Sequence, residues 1–219
     1  MAVKVAVRVK ICGVTDPSNA LAAAEMGADY LGLNFYPGSP RFLTIARARE
    51  VADAARGRVP LVGVFVNASP DEIAATVEKV GLDLVQFSGD EKLEAVAPFL
   101  ERAIKVFRAG RLPGREELAA WSAVWAVLID APHRSLYGGT GEEWTYDEVN
   151  EAAAALAGRR LFLAGGIGPD NARRAVAAAR PWAIDVCSRV ESAPGIKDPE
   201  LLRRLFQEVR HGVETPSPA

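Results

Sequence analysis

Residues 8–27 read RVKICGVTDPSNALAAAEMG. The stretch begins as a strand, and at Cys12 a glycine follows at once. Asp16 then stands where an N-cap belongs, Pro17 fits the first helical position, and Gly27 marks a stop. The unit is strand, loop, helix. It recurs along the chain. Apolar runs at 30–35, 61–67, 84–88, 104–108, 126–130, 161–164 and 183–187 join the one at 8–12 to make eight strand candidates. Helical patterns lie between them, and in SPDEIAATVEKVG (69–81) Ser69, Pro70 and Gly81 repeat the same punctuation. Strand–helix alternation demands parallel strands joined by right-handed crossovers, in a closed barrel or an open doubly wound sheet. Eight even units of about 25 residues, without a long insertion, favour closure. The expected fold is α/β, a single (β/α)8 TIM barrel over residues 1–210, with a polar, Pro-rich tail at 211–219 that frays. TDPSNALAAA (15–24) is echoed by IGPDNARRAVAAA (167–179), as repeated units allow.

Composition narrows the function. The chain has 219 residues, 49% hydrophobic and 25% charged, with a net charge of −2. That is an ordinary globular composition, with no basic block to hold nucleic acid. The longest apolar run, 123–129, is too short to span a bilayer, and the N-terminal MAVKVAVRVK alternates like a strand instead of forming a signal-peptide core. Two cysteines and two histidines exclude a disulfide scaffold and an ordinary zinc site. The expectation is a cytoplasmic protein with reduced thiols.

Barrels place reacting groups at the C-terminal ends of strands and in the loops that follow. Cys12, Asn34, Gln86, Asp130 and Cys187 lie at such ends. Each also has a plain structural reading: cysteine packs as a small apolar filler, and Asp or Asn caps helices and holds turns. Two loops add weight. LFLAGGIGPDNARRA places Gly165 and Gly166 after the seventh strand, with a Pro-started helix expected just beyond, an arrangement that suits an anion. AIDVCSRVES adds Ser188 after the eighth, and loops seven and eight are where barrels commonly hold phosphate. Arg41, in the loop YPGSPRF (36–42), offers a planar fork for a carboxylate or phosphate. The glycines of YGGTGEEW (137–144) read as a lid, His133 as a surface residue, and Cys187 as a packed thiol.

KICG (10–13), SPR (39–41), LVGVFVN (61–67), Asp130 closing strand six, GGTG (138–141), LAGGI (163–167), IDVCSRVE (184–191) and PGIKD (194–198) occur in this order on these strands. Together they resemble the phosphoribosylanthranilate isomerases. Two places depart from the family pattern: VDVSSGVE becomes IDVCSRVE, so Cys187 and Arg189 replace serine and glycine, and QFSG (86–89) stands where QLHG is usual. The resemblance implies an Amadori rearrangement of a small phosphosugar, with no metal or organic cofactor. By that analogy Asp130 is the general acid and Cys12 the general base. Arg41 pairs with the anthranilate carboxylate, and Gly165, Gly166 and Ser188 belong to the phosphate loops. Asp185 is counted among the substrate-binding candidates.

The residues are compatible with those roles. VWAVLID (124–130) leads into Asp130 through an apolar run, so burial is expected to raise its pKa. Strand alternation puts Lys10 on the same face as Cys12, where its charge favours the thiolate. In a closed barrel strand eight lies beside strand one, so Asp185 is expected to pair with Lys10 beneath the site and to blunt that effect. A lyase barrel calls for lysine and glutamate where Cys12 and Asp130 stand. A sister isomerase of histidine synthesis carries Asp at the Cys12 position. A non-catalytic phosphosugar-binding barrel stays open on the residues alone. The apolar loop NFYPG (34–38) is a candidate homodimer contact.

Overall fold

A computed structural model describes residues 7–108, 114–130, 154 and 158–210. Eight strands, β1 (Arg8–Cys12), β2 (Tyr30–Asn34), β3 (Leu61–Phe65), β4 (Leu84–Phe87), β5 (Ala103–Arg108), β6 (Ala126–Asp130), β7 (Leu161–Ala164) and β8 (Ala183–Val186), close into one parallel barrel in chain order. β8 pairs with β1, with Lys10 opposite Asp185 and Ile11 opposite Val186. The lid at 137–144, His133 and the tail at 211–219 lie outside the described residues.

Several strands end a residue or two earlier than the apolar runs do. β3 stops at Phe65, and Asn67 already has φ +52, a conformation that leaves the ladder. β8 stops at Val186, and Cys187 turns away with φ −128 and ψ −90. After β8 the chain forms a small antiparallel hairpin, Glu191–Ala193 with Ile196–Lys197, which strand–helix alternation did not anticipate.

Alternation within each strand separates two cores. Tyr30, Val62, Leu84, Ile104, Ala126, Leu128, Phe162 and Ala183 fill the barrel. Their neighbours, such as Ile11, Leu31, Val85, Val127, Ile129 and Ile184, pack outward under the helices. The N-terminal end of the barrel is stopped by aromatic rings: Tyr30 meets Phe162 at 5.5 Å and Trp125 at 6.1 Å. Arg8 stacks on Trp182 at 3.6 Å, and Arg160 lies over Trp125 at 4.9 Å.

Helix punctuation follows the sequence signals. The Asp16 side chain accepts from the Ser18 N–H to cap the helix Pro17–Met26, which ends at Gly27. Ser69 and Glu72 form a capping box on Pro70–Val80, ended by Gly81. The helix after β7 differs: it begins at Ala172, not at Pro169. Asn171 Oδ1 accepts from the Gly168 N–H at 2.9 Å and its Nδ2 donates to the Gly166 carbonyl at 3.0 Å, so a turn is built before the helix starts. Tyr36, in the loop offered as a dimer contact, is exposed, as is Phe42 beyond it.

Candidate active site

Lys10 and Cys12 alternate onto the inner face of β1. The Lys10 ammonium is fully buried and donates to both Asp185 oxygens at 3.0 Å. This is the pair expected from strand adjacency. Burial works against the charged lysine, but Asp185 and the Cys12 side chain outweigh it and hold its pKa above the usual range. Across the barrel wall Cys12 faces Gly32. A Cβ there would stand 2.8 Å from the Cys12 sulfur and 3.1 Å from Lys10 Nζ, so the missing side chain makes room for both.

The Cys12 thiol is buried and free. Its pKa falls from 9.0 to about 7. A hydrogen bond from Cys187 is the largest cause; burial opposes it, Lys10 reinforces it and Asp185 partly cancels Lys10. The blunting by Asp185 was anticipated in sequence, whereas the part played by Cys187 was not. The same hydrogen bond, with burial, raises the Cys187 thiol, so Cys187 remains protonated at neutral pH.

Gly13 has φ +68, and a Cβ on it would lie 2.4 Å from Arg41 Cδ and 3.1 Å from the Cys187 sulfur. The glycine after Cys12 therefore lets the arginine lie across the strand end. Arg41 is not simply solvated. Its Nε donates to Glu191 Oε1 at 2.8 Å and its Nη2 to Oε2 at 2.5 Å. That fork occupies one edge of the guanidinium and leaves the Nη1 edge for a ligand. Glu191 is shared with Lys197, whose buried Nζ donates to Oε1 at 2.7 Å and to the Cys187 carbonyl at 3.2 Å. Arg41 and Lys197 outweigh burial and hold the Glu191 carboxyl below the usual range. Asn19 fastens Lys197 by its backbone, accepting at 2.8 Å and donating at 3.2 Å. Thr15 ties the same hairpin to the loop after β1 by donating to the Gly195 carbonyl at 2.8 Å.

Asp130 closes β6, between Arg108 of β5 and Ala164 of β7 in register. It follows Ala126 and Leu128 at a spacing of two, so it shares their inward face. The apolar run does not bury it: Asp130 is exposed, which corrects the expectation of desolvation. The run fills the core below while its last residue clears the rim.

Gly165 and Gly166 both take left-handed conformations, at φ +97 and φ +61, and Ser188 is exposed. Gln86 points inward from β4; its Nε2 donates to Ser88 Oγ at 3.1 Å, and its buried Oε1 has no partner among the described residues.

A family model described as N-(5'-phosphoribosyl)anthranilate (PRA) isomerase matches residues 9–208. The chain belongs to this family. As a phosphoribosylanthranilate isomerase, it is an enzyme of tryptophan biosynthesis. The curated enzyme of that name from Myxococcus xanthus is 45% identical over 213 residues, 93% of this chain and 96% of the relative. Phosphoribosyl anthranilate isomerase from Thermotoga maritima superposes with a TM-score of 0.83 at 34% identity, covering 94% of this chain and 99% of that one. A further structure of such an isomerase holds reduced 1-(o-carboxyphenylamino)-1-deoxyribulose 5-phosphate; it matches at TM-score 0.80 and 31% identity, over 94% of this chain and 99% of that one.

The fold brings Cys12, Arg41 and Asp185 into one cluster on β1, β8 and the neighbouring loops. Gly165, Gly166 and Ser188 lie at the adjoining ends of β7 and β8, and Asp130 beyond them on β6. The residues missed in sequence are Glu191, Lys197 and Asn19. The first two stood inside IDVCSRVE and PGIKD, where the Pro194-Gly195 pair signals a turn.

Proposed function

We propose that Cys12 and Asp130 carry the isomerisation of N-(5'-phosphoribosyl)anthranilate as base and acid. Asp130 gives its proton to the furanose ring oxygen, the C1–O bond breaks, and the anthranilate nitrogen becomes the iminium of an open chain. The Cys12 thiolate then takes the proton from C2, and the C–H electrons flow into the iminium, which is the electron sink. The resulting enol settles to the aminodeoxyribulose phosphate. The Nη1 edge of Arg41 meets the anthranilate carboxylate, and the loops of Gly165, Gly166 and Ser188 hold the phosphate. Both Asp185 oxygens lie on Lys10, so Asp185 acts through that pair. The observation that carries this reading is the inward Cys12 thiol, lowered to about 7 above a buried lysine.

Asp130→Asn tests the acid. An amide cannot supply the proton, so kcat is expected to fall by about 10²–10⁴-fold, read from the loss of anthranilate fluorescence, with the affinity for the reduced product kept. An unchanged kcat removes Asp130 from the mechanism. The base predicts a pH profile. Cys12 works as the thiolate, so kcat/KM should rise through about pH 7 and fall tenfold per unit on the acid side. The folded-state pKa is depressed, so the matching stability is complete above 9.0 and is lost as pH falls through about 7.

A further inference from the structure

Glu191 opens the hairpin after β8, Lys197 ends it, and Arg41 reaches both from the loop after β2. Three donors converge on one carboxylate. Arg41 Nε and Nη2 donate to its two oxygens at 2.8 and 2.5 Å, and Lys197 Nζ shares Oε1 at 2.7 Å. The Gly195 N–H donates to the same Oε1 at 3.2 Å. The Lys197 and Glu191 side chains are 0% and 5% exposed and that of Arg41 is 20% exposed, so the knot meets solvent through the arginine. Two cations share one carboxylate, which leaves the knot one positive charge that an anion reaches by way of Arg41.

The same contacts fix where the guanidinium lies. Lys197 is held by Asn19 through its backbone and donates to the Cys187 carbonyl at 3.2 Å, so Glu191 is anchored to the end of β8. On another side Arg41 rests against Gly13, where a Cβ would stand 2.4 Å from its Cδ. An arginine free in a loop loses rotamer freedom when it grips a ligand, whereas one already held at Nε and Nη2 does not. We propose that Glu191, clamped by Lys197, is a positioning residue for ligand selection: it presets Arg41 so that the Nη1–Nη2 edge receives an aryl carboxylate on two N–H groups. This rests on the carboxylate role given to Arg41 above, and Glu191 acts through that arginine. The ligand's carboxylate then balances the spare charge, two anions against two cations.

Glu191→Gln keeps the shape and breaks the clamp. A carboxylate accepts from all three side-chain donors, but an amide turns its own NH2 toward one of them. The test titrates two ligands by calorimetry: the reduced product, and the same reduced compound built on aniline, which lacks the carboxylate. The parent should favour the first. In Glu191→Gln the affinity for the carboxylate ligand should fall by about tenfold, with that for the aniline compound unchanged. Equal losses for both ligands would make Glu191 a structural residue and overturn the proposal, as would parental discrimination in the variant. With Arg41→Ala in place, Glu191→Gln should cost nothing further, and additive losses would overturn it too. Should the single variant fail to fold around its buried ammonium, Glu191→Gln/Lys197→Met removes that charge and should show the same selective loss; intact discrimination there overturns the proposal. A parent that binds both ligands alike would defeat the role assigned to Arg41, and the proposal with it, whereas discrimination lost by Arg41→Ala but kept by Glu191→Gln defeats the proposal alone.

Discussion

Cys12→Ser is expected to lower kcat by about 10²–10⁴-fold while the reduced product binds as before. The substitution changes one atom, and the space above Gly32 beside Lys10 has room for an oxygen smaller than the sulfur. What changes is acidity. The thiol reaches about 7 with the help of Cys187 and Lys10, a modest displacement from 9.0. An alcohol starts far higher, and the same neighbours cannot bring it into the neutral range. The hydroxyl therefore stays protonated over the still ion-paired Lys10, and proton removal from C2 loses its acceptor. Single-turnover fluorescence separates the step from product release. A variant with parental kcat would show that the base is another group.

Asp185→Ala should destabilise the barrel by about 3–5 kcal/mol, because it strands a fully buried ammonium. For a chain of this size that is a drop in Tm of about 6–20 °C, measured by calorimetry at neutral pH. An unchanged Tm would mean that Lys10 does not need its partner. The double variant Lys10→Met/Asp185→Leu removes both charges and should recover most of the lost stability. Its Cys12 thiol should nevertheless titrate higher than the parent's, since the downward pull of Lys10 exceeds the opposing effect of Asp185. The single variant has the reverse sign for Cys12: with Asp185 gone, Lys10 acts unopposed and the thiol pKa falls further. Stability and base strength thus move independently, which a merely structural pair would not show.

Much of this arrangement was present in local patterns. Alternating residues, caps such as Asp16 and Ser69, and stops at Gly27 and Gly81 act over a few neighbours, so strand–helix units could be read directly and their even spacing implied closure. Closure in turn set Lys10 against Asp185, because β8 must lie beside β1 in a barrel of this order. Other features depend on chain segments far apart. The exposure of Asp130 depends on how far the end of β6 rises above the rim, and a run of apolar residues behind it carries no such information. The Glu191 bridge joins residues separated by 150 positions, and Asn19 reaches Lys197 across 178. The two thiols likewise gain their surroundings, Lys10 near Cys12 and Glu191 and Lys197 near Cys187, only through tertiary contacts. The order of elements followed from short-range propensity and periodicity; the ionisation of the site followed from distances between charges, which exist only once the barrel has closed.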